Sequence, residues 1–332
     1  MQWPGRILSF IRWTVRQRKR RTSNEHPWDT YMDLTPDIQR WLTGAMGSGA
    51  VMQSAHVLAG STSSTLYGVE LEQRGRSVSL VLRLFTNAEW LADEPDLAAH
   101  EAAVLNKAAA IPLPTPELVT VDETGAFCGV PAVLMTRVPG TIQLQPDNFD
   151  DWLLRLAETL VPLHDVDADD LSWQYFPWTD VHTLQVPGWS SVPDLWAQAI
   201  DIARGPEPDY TPCFVHRDYH PMNVLWQEKT LSGVVDWVNA CRGPLGIDLA
   251  HCRLNLVAMY GPATADEFLK NYETLTGVSH HPYWDLIDLI EVLPGPPGIY
   301  SPWLEFGLSH LTPALMVSRL DDYVARVLKR LT

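Results

Sequence analysis

Hydrophobic and polar residues follow one rhythm in the first part of this chain and another in the second. Between residues 54 and 85 three short runs, SAHVLAG, TLYGVELE and SVSLVLRLF, are rich in Val, Leu and Tyr and are broken by the turns GSTSS and QRGR, which predicts successive β-strands. Over residues 96–110 the period lengthens, with Leu97, Glu101, Val104 and Leu105 at helical spacing. ELVTVDE and PAVLMTRV then restore the strand pattern on either side of a glycine-containing turn. The first part is therefore expected to be sheet with one early helix.

Beyond Pro139-Gly140 the pattern turns helical. In PDNFDDWLLRLAETLVPLH, residues Phe149, Trp152, Leu153, Leu156, Leu160 and Leu163 form one stripe, and Asp147 is the expected cap. Further helices are expected at 192–204, 246–259, 263–275, 283–291 and 313–331. Sheet followed by helices predicts an α+β molecule of two lobes hinged near 137–146. A length of 332 residues, beyond the usual size of one core, agrees. The expected divisions are an arm at 1–31, a small β-rich N-lobe at 32–138 and a larger, mainly helical C-lobe at 139–332.

Charge changes the picture at both ends. The chain holds 24 basic and 40 acidic residues, a net charge of −16, so a nucleic-acid partner is not expected. Yet the first 24 residues contain Arg6, Arg12, Arg16, Arg18, Lys19, Arg20 and Arg21 and no acidic residue. Ile7, Leu8, Ile11 and Val15 recur there at helical spacing, which allows a basic amphipathic helix touching anionic lipid. The plainer reading, which we favour, is a dispensable flexible arm, or a start set too early with Met32 as the true beginning. Four scattered cysteines without a CxxC pair suit a reducing compartment, and no run of 18 uncharged apolar residues occurs, so a cytoplasmic protein is expected.

The candidate chemistry lies in residues 214–239, FVHRDYHPMNVLWQEKTLSGVVDWVN, where two apolar runs carry Asp218, Asn223 and Asp236. Asp218 and Asn223 are five apart, and Asp236 follows thirteen later. The spacing H-x-D-x-x-x-x-N, then a strand and a second Asp, is that of a kinase catalytic loop. There the first Asp takes the acceptor's proton while the Asn and second Asp hold magnesium, whose hard oxygen ligands these side chains supply.

HRDYHPMN at 216–223, GVVDW at 233–237 and GPLGIDLA at 243–250, in that order and spacing, resemble the aminoglycoside phosphotransferase and choline kinase family of small-molecule kinases. The resemblance covers about residues 50–310 and implies a bilobal protein-kinase-like fold. It implies Asp218 as catalytic base, with His216 and His220 completing the catalytic loop, His216 as a loop-fixing residue. Asn223 and Asp236 would be the metal ligands for Mg²⁺, and ATP or GTP the phosphate donor. Asp248 would brace the catalytic loop, or serve simply as a carboxylate at a helix N-terminus. Gly60, Ser61, Thr62, Ser63 and Ser64 fall where the family has its phosphate-covering turn, although a turn of this kind is also an ordinary hairpin. Arg83 is the candidate for the α- and β-phosphates, paired with Glu101; the alternative is a strand residue facing solvent.

Other residues have plainer expectations. His164 reads as a helix-end anchor, the His280-His281 pair lacks further ligands for a metal, and Trp284 and Trp303 read as core before they read as an aromatic wall for a cation. The function expected is transfer of a nucleotide's γ-phosphate to a hydroxyl of a small molecule, aminoglycoside-like or amino-alcohol-like. A catalytically silent nucleotide-binding or scaffold protein on the same fold is the alternative. Acidic clusters at Asp147, Asp150 and Asp151, at Asp165, Asp167, Asp169 and Asp170, and at Asp266 and Glu267 would favour a cationic acceptor if they line its cleft. They are equally well explained as a solvated surface.

Overall fold

The fold comes from a computed structural model that describes residues 34–58, 64–293 and 295–331. The basic arm at 1–31 and Gly60, Ser61, Thr62 and Ser63 lie outside the described residues. The chain divides into two units: one runs up to Ala109 and includes Thr115–Val138, the other takes Ala110–Pro114 and everything from Pro139 onward.

The N-terminal unit opens with a helix, α1 (Pro36–Met46), that apolar spacing did not mark. Its signal is the cap: the Thr35 hydroxyl accepts from Ile38 N at 3.3 Å, and Pro36 occupies a first-turn position where no donor is needed. Then come β1 (Ala50–Val57), β2 (Thr65–Gln73), β3 (Arg76–Leu84), α2 (Ala88–Asp93), α3 (Leu97–Ala108), β4 (Leu118–Asp122) and β5 (Ala132–Thr136). The five strands form one antiparallel sheet in the order β1-β2-β3-β5-β4. Arg74 and Gly75, both at positive φ, make the two-residue turn between β2 and β3. Alternation sets the faces of β3. Leu80, Leu82 and Leu84 join a core with Ile38 and Leu42 of α1, while Arg83, one residue out of phase, points to the opposite face.

The C-terminal unit contains β6 (Thr141–Ile142), α4 (Phe149–His164), α5 (Pro193–Ala203), β7 (Pro212–Val215), β8 (Val224–Gln227), β9 (Thr230–Val234) and β10 (Cys241–Pro244). After them come α6 (Leu245–Tyr260), α7 (Pro262–Thr276), α8 (Tyr283–Ile290), α9 (Ser301–Glu305) and α10 (Pro313–Leu331). Its strands form two small sheets, β10-β7 and β6-β8-β9. The helical stripe of α4 is buried as the spacing predicts, but its cap is Asn148, not Asp147. The Asn148 Oδ1 accepts from Asp151 N at 3.2 Å, and Asp147 instead lies 3.3 Å from Lys229 at the surface. Helix α6 is buried on nearly every side, the mark of a central helix. Gly246 in its first turn is required by packing, because a Cβ there would meet Trp284 Cδ1 of α8 at 2.2 Å. Trp284 is thereby a core residue, as expected. No helix of the described residues is long and apolar enough to cross a membrane.

Candidate active site

The loop after β7 is tied down through its backbone. His216 N and Arg217 N donate to the two oxygens of Asp248 at 2.8 and 2.6 Å, and Asp248 is wholly buried in the first turn of α6. Both readings of Asp248 therefore hold at once: a carboxylate at a helix N-terminus also braces the loop. His164, at the end of α4, meets the same carboxylate at 3.2 Å and Tyr272 Oη at 2.8 Å, so it belongs to the brace. Arg217 holds a left-handed backbone, φ 66°, with its guanidinium stacked 4.0 Å over Trp178 and 4.2 Å over Phe176. The His216 ring lies 3.0 Å from Val235 O and packs on Trp237, tying the loop to the segment that carries Asp236.

Asp218 is buried at the centre of this loop. Its Oδ1 is 3.0 Å from His251 Nε2 and 3.7 Å from His220 Nε2. Its Oδ2 has a weaker neighbour, Asn223 Nδ2 at 3.4 Å. His251 stands three residues after Asp248 on α6, and its Nδ1 lies 3.0 Å from Asp288 Oδ1 of α8. Burial alone would strip its proton, but Asp288 and Asp218 together hold its pKa well above the ordinary value, so it is an imidazolium between two carboxylates. Burial likewise works against the Asp218 charge, and His251, His220 and His216 outweigh it, leaving the carboxyl below its ordinary pKa. His220 goes the other way: burial, with Asp218 opposing, pushes it down to about 4, and its neutral Nδ1 accepts from Met222 N at 3.3 Å.

Asn223 donates from Nδ2 to Asp218 O at 2.9 Å, which fixes the amide and leaves Oδ1 as the atom a cation would take. Val235 N donates to Asn223 O at 2.9 Å, holding the segment before Asp236 against Asn223, and Asp236 itself is half-buried at φ 69°. An amide oxygen and a carboxylate suit Mg²⁺. A second grouping of possible ligands, Asp218, His220 and His251, has its ligand atoms within 4.8 Å of one another. It suits a metal poorly, because both His251 nitrogens carry protons committed to Asp218 and Asp288.

In the N-terminal unit, Arg83 Nε lies 3.0 Å from Glu101 Oε1 with both side chains buried, and Arg83 Nη1 donates to Ser64 Oγ at 3.1 Å. Arg83 therefore does not face solvent. Ser64, Arg83 and Glu101 are gathered; the rest of the predicted phosphate turn lies outside the described residues. Sequence reasoning missed His251 and Asp288. The first could have been found from its position one turn beyond Asp248 in GIDLAHC, whereas nothing local marks Asp288.

A family model described as a phosphotransferase enzyme family matches residues 54–287. A homoserine kinase of Mesorhizobium japonicum is 28% identical over an alignment of 198 positions that covers 53% of this chain and 57% of the relative. The chain thus spans little more than half the length of that curated relative. The fold is shared with an aminoglycoside phosphotransferase, APH(4)-Ia, solved with ADP and hygromycin B, at a TM-score of 0.55, 17% identity, and coverage of 87% of this chain and 98% of that one. A macrolide 2'-phosphotransferase of type I gives a TM-score of 0.52 at 18% identity, covering 91% and 99%.

Proposed function

Because the chain belongs to the phosphotransferase enzyme family, we propose that it moves the γ-phosphate of ATP or GTP to a hydroxyl of a small molecule. The observation that carries this reading is the buried Asp218 carboxylate. One oxygen is pinned by His251 at 3.0 Å, and the other is bounded, among the described residues, only by Asn223 at 3.4 Å.

Asp218 Oδ2 is the atom assigned to the acceptor. It orients the hydroxyl and takes its proton as the oxygen bonds to the γ-phosphorus and the bond from that phosphorus to the β,γ-bridging oxygen breaks, releasing ADP or GDP. A carboxyl held below its ordinary pKa is a weak base, so its first contribution is to aim the oxygen. Asn223 Oδ1 and Asp236 would hold magnesium, which supplies charge neutralisation on the phosphates when bound. Arg83, fixed by Glu101, is assigned to the α- and β-phosphates, with Ser64 beside it. His216, His220 and Asp248 keep the loop in register. Homoserine and hygromycin B, named with similar proteins, and amino-alcohol or aminoglycoside acceptors in general, enter here as candidates by similarity alone.

The experiment is release of ADP or GDP by the purified chain across aminoglycosides, macrolides, amino alcohols, sugars and homoserine, with and without Mg²⁺. Turnover should need both Mg²⁺ and a hydroxyl acceptor. Tight magnesium-nucleotide binding with no phosphorylated product from any acceptor would instead make the chain the silent nucleotide-binding protein.

A further inference from the structure

Behind the proposed base, a line of buried titratable side chains runs through the C-terminal unit. Asp218 Oδ1 meets His251 Nε2 at 3.0 Å, and His251 Nδ1 meets Asp288 Oδ1 at 3.0 Å. The other oxygen of Asp288 is buried and has no hydrogen-bond partner among the described residues. A carboxylate oxygen left so in a dry interior is costly. Glu291 closes α8 at φ −66° and ψ −18°, with its backbone N donating to Asp288 O at 3.2 Å, and its side chain is buried too. Residues three apart on a helix share a face, so the two carboxyl groups are neighbours.

Two buried carboxyls on one helical turn resist ionising together. Asp288 has the His251 imidazolium against it and takes the charge. Burial first, then Asp288, work against a second charge on Glu291, and the negative end of α8 adds to them. Arg217 from the loop after β7 and His251 from α6 oppose these effects, with the Trp178 amide as a donor. Arg217, however, is committed to its stack over Trp178 and Phe176, and its Nη2 donates to Phe176 O. Tyr175 faces the same group and stays neutral, since burial and Glu291 raise its phenol well above the ordinary value. The Glu291 carboxyl is accordingly pushed up to about 8 and keeps its proton near neutral pH. With that proton in place, the buried cations Arg217 and His251 are matched by the anions Asp218 and Asp288.

We propose that Glu291 is a positioning residue for the base: as a neutral acid it donates its O–H to the unpartnered oxygen of Asp288, completing a chain from Asp218 through His251 and Asp288. Ionisation breaks that chain. A charged Glu291 is repelled by Asp288 and drawn to Arg217, the residue beside Asp218, so alkaline pH loosens the base from two sides. The effect on rate rests on the phosphotransferase reading above, whereas the acid and its bond to Asp288 stand without it.

Infrared difference spectra of the full chain read the acid directly. The carbonyl band of a protonated carboxylic acid should fade as pH rises through about 8, and Glu291→Gln should remove it. The same proton enters stability. Because the folded value lies above the ordinary 4.5, the stability it carries is full below that pH and is lost as pH rises toward about 8. The denaturant midpoint of Glu291→Gln should therefore gain on that of the unmodified chain from about pH 5 to about pH 8. For the positioning role, kcat should fall on the alkaline side with a midpoint of about 8, and Glu291→Gln, a neutral donor, should abolish that fall. Glu291→Ala should lower kcat about tenfold near neutral pH with magnesium-nucleotide affinity held, and Gln should restore most of the loss. The His251 ring signal should shift within its charged range at the same midpoint, and not in the Gln variant. Absence of the infrared band overturns the acid whatever the activity. Identical alkaline profiles of kcat in the unmodified chain and Glu291→Gln overturn the positioning role. If no acceptor is phosphorylated, the phosphotransferase reading falls and the His251 signal decides: a ring that ignores Glu291 overturns the chain, and one that follows it upholds the chain.

Discussion

Two buried carboxylates in the C-terminal unit, Asp218 and Asp285, look alike in burial and differ in what surrounds them. Asp285 Oδ1 meets Arg253 Nε at 3.1 Å, His280 Nε2 at 3.0 Å and the Tyr323 hydroxyl at 3.0 Å, and its Oδ2 is 3.5 Å from Arg330 Nη1. Each of those partners is part of the packed frame. Asp218 has one oxygen held by His251 and the other, among the described residues, only loosely approached by Asn223. Both carboxyls are held below their ordinary pKa against the opposing effect of burial, Asp285 to about 2. A depressed pKa in a buried carboxyl thus does not set the proposed base apart; what distinguishes it, among the described residues, is an oxygen without a strong fixed partner.

The largest break in this comparison should come from Asp285→Ala. It leaves the buried Arg253 guanidinium with the half-exposed Asp266 as its carboxylate partner among the described residues and should cost about 3 kcal/mol of stability, read as a large drop in denaturant midpoint. The same carboxyl predicts an acid response. Because its folded pKa lies below its unfolded one, its stabilisation is present above about pH 4 and is lost as pH falls toward about 2. With a depression from 3.8 to about 2, the loss is about 2 kcal/mol. Asp285→Asn should flatten the acid limb of the stability profile, and an unchanged acid limb would show that other carboxyls govern it.

Asp218→Asn should separate activity from stability. Its amide keeps the shape of the loop but cannot take a proton, so kcat should fall about a hundredfold or more while magnesium-nucleotide affinity changes little. Near-normal turnover would remove Asp218 from the chemistry. Asp236→Ala should instead abolish Mg²⁺-dependent nucleotide binding, measured by calorimetry, with the fold intact.

The same contrast marks what could be read from the sequence. Asp218, Asn223 and Asp236 were legible because a single loop and the strand after it carry them at fixed spacing, and Asp248 because it opens the next helix. Six helices of the C-terminal unit, α4 to α8 and α10, were expected within a few residues of their bounds, whereas the five-residue α9 was not. The partners of those carboxylates were not: His251 meets Asp288 across 37 positions, and Arg253 meets Asp285 only because α6 packs on α8. Helix α1 escaped because its signal is a cap and not a stripe, and the cap of α4 fell to Asn148 because a hydrogen bond, not a charge, decides which residue takes the position.

The smallest expected effect sharpens the comparison most, because it concerns the one strong partner that Asp218 does have. His251 touches Asp218 Oδ1 and Asp288 Oδ1 at 3.0 Å each, so under the proposed function it would position the base by a charged contact on the oxygen away from the acceptor. Its raised pKa requires that the imidazolium's stabilising contribution be full below its unfolded value of about 6.5 and be lost only as pH rises through the folded value. The ring's proton NMR signal should therefore stay in the charged position as pH rises past the ordinary histidine value. His251→Gln keeps a donor to one carboxylate and removes the charge, so kcat should fall about tenfold, the scale of a misaligned base, with acceptor KM changing less. Asp288→Asn should give the same kcat loss in smaller measure and should let the His251 signal titrate at lower pH. A mere packing role would lower stability in both variants and leave the ratio of kcat to nucleotide affinity where it was. A His251 ring that titrates near pH 6.5 in the unmodified protein would show that the two carboxylates do not hold it charged, and Asp218 would then lack the clamp that sets it apart from Asp285.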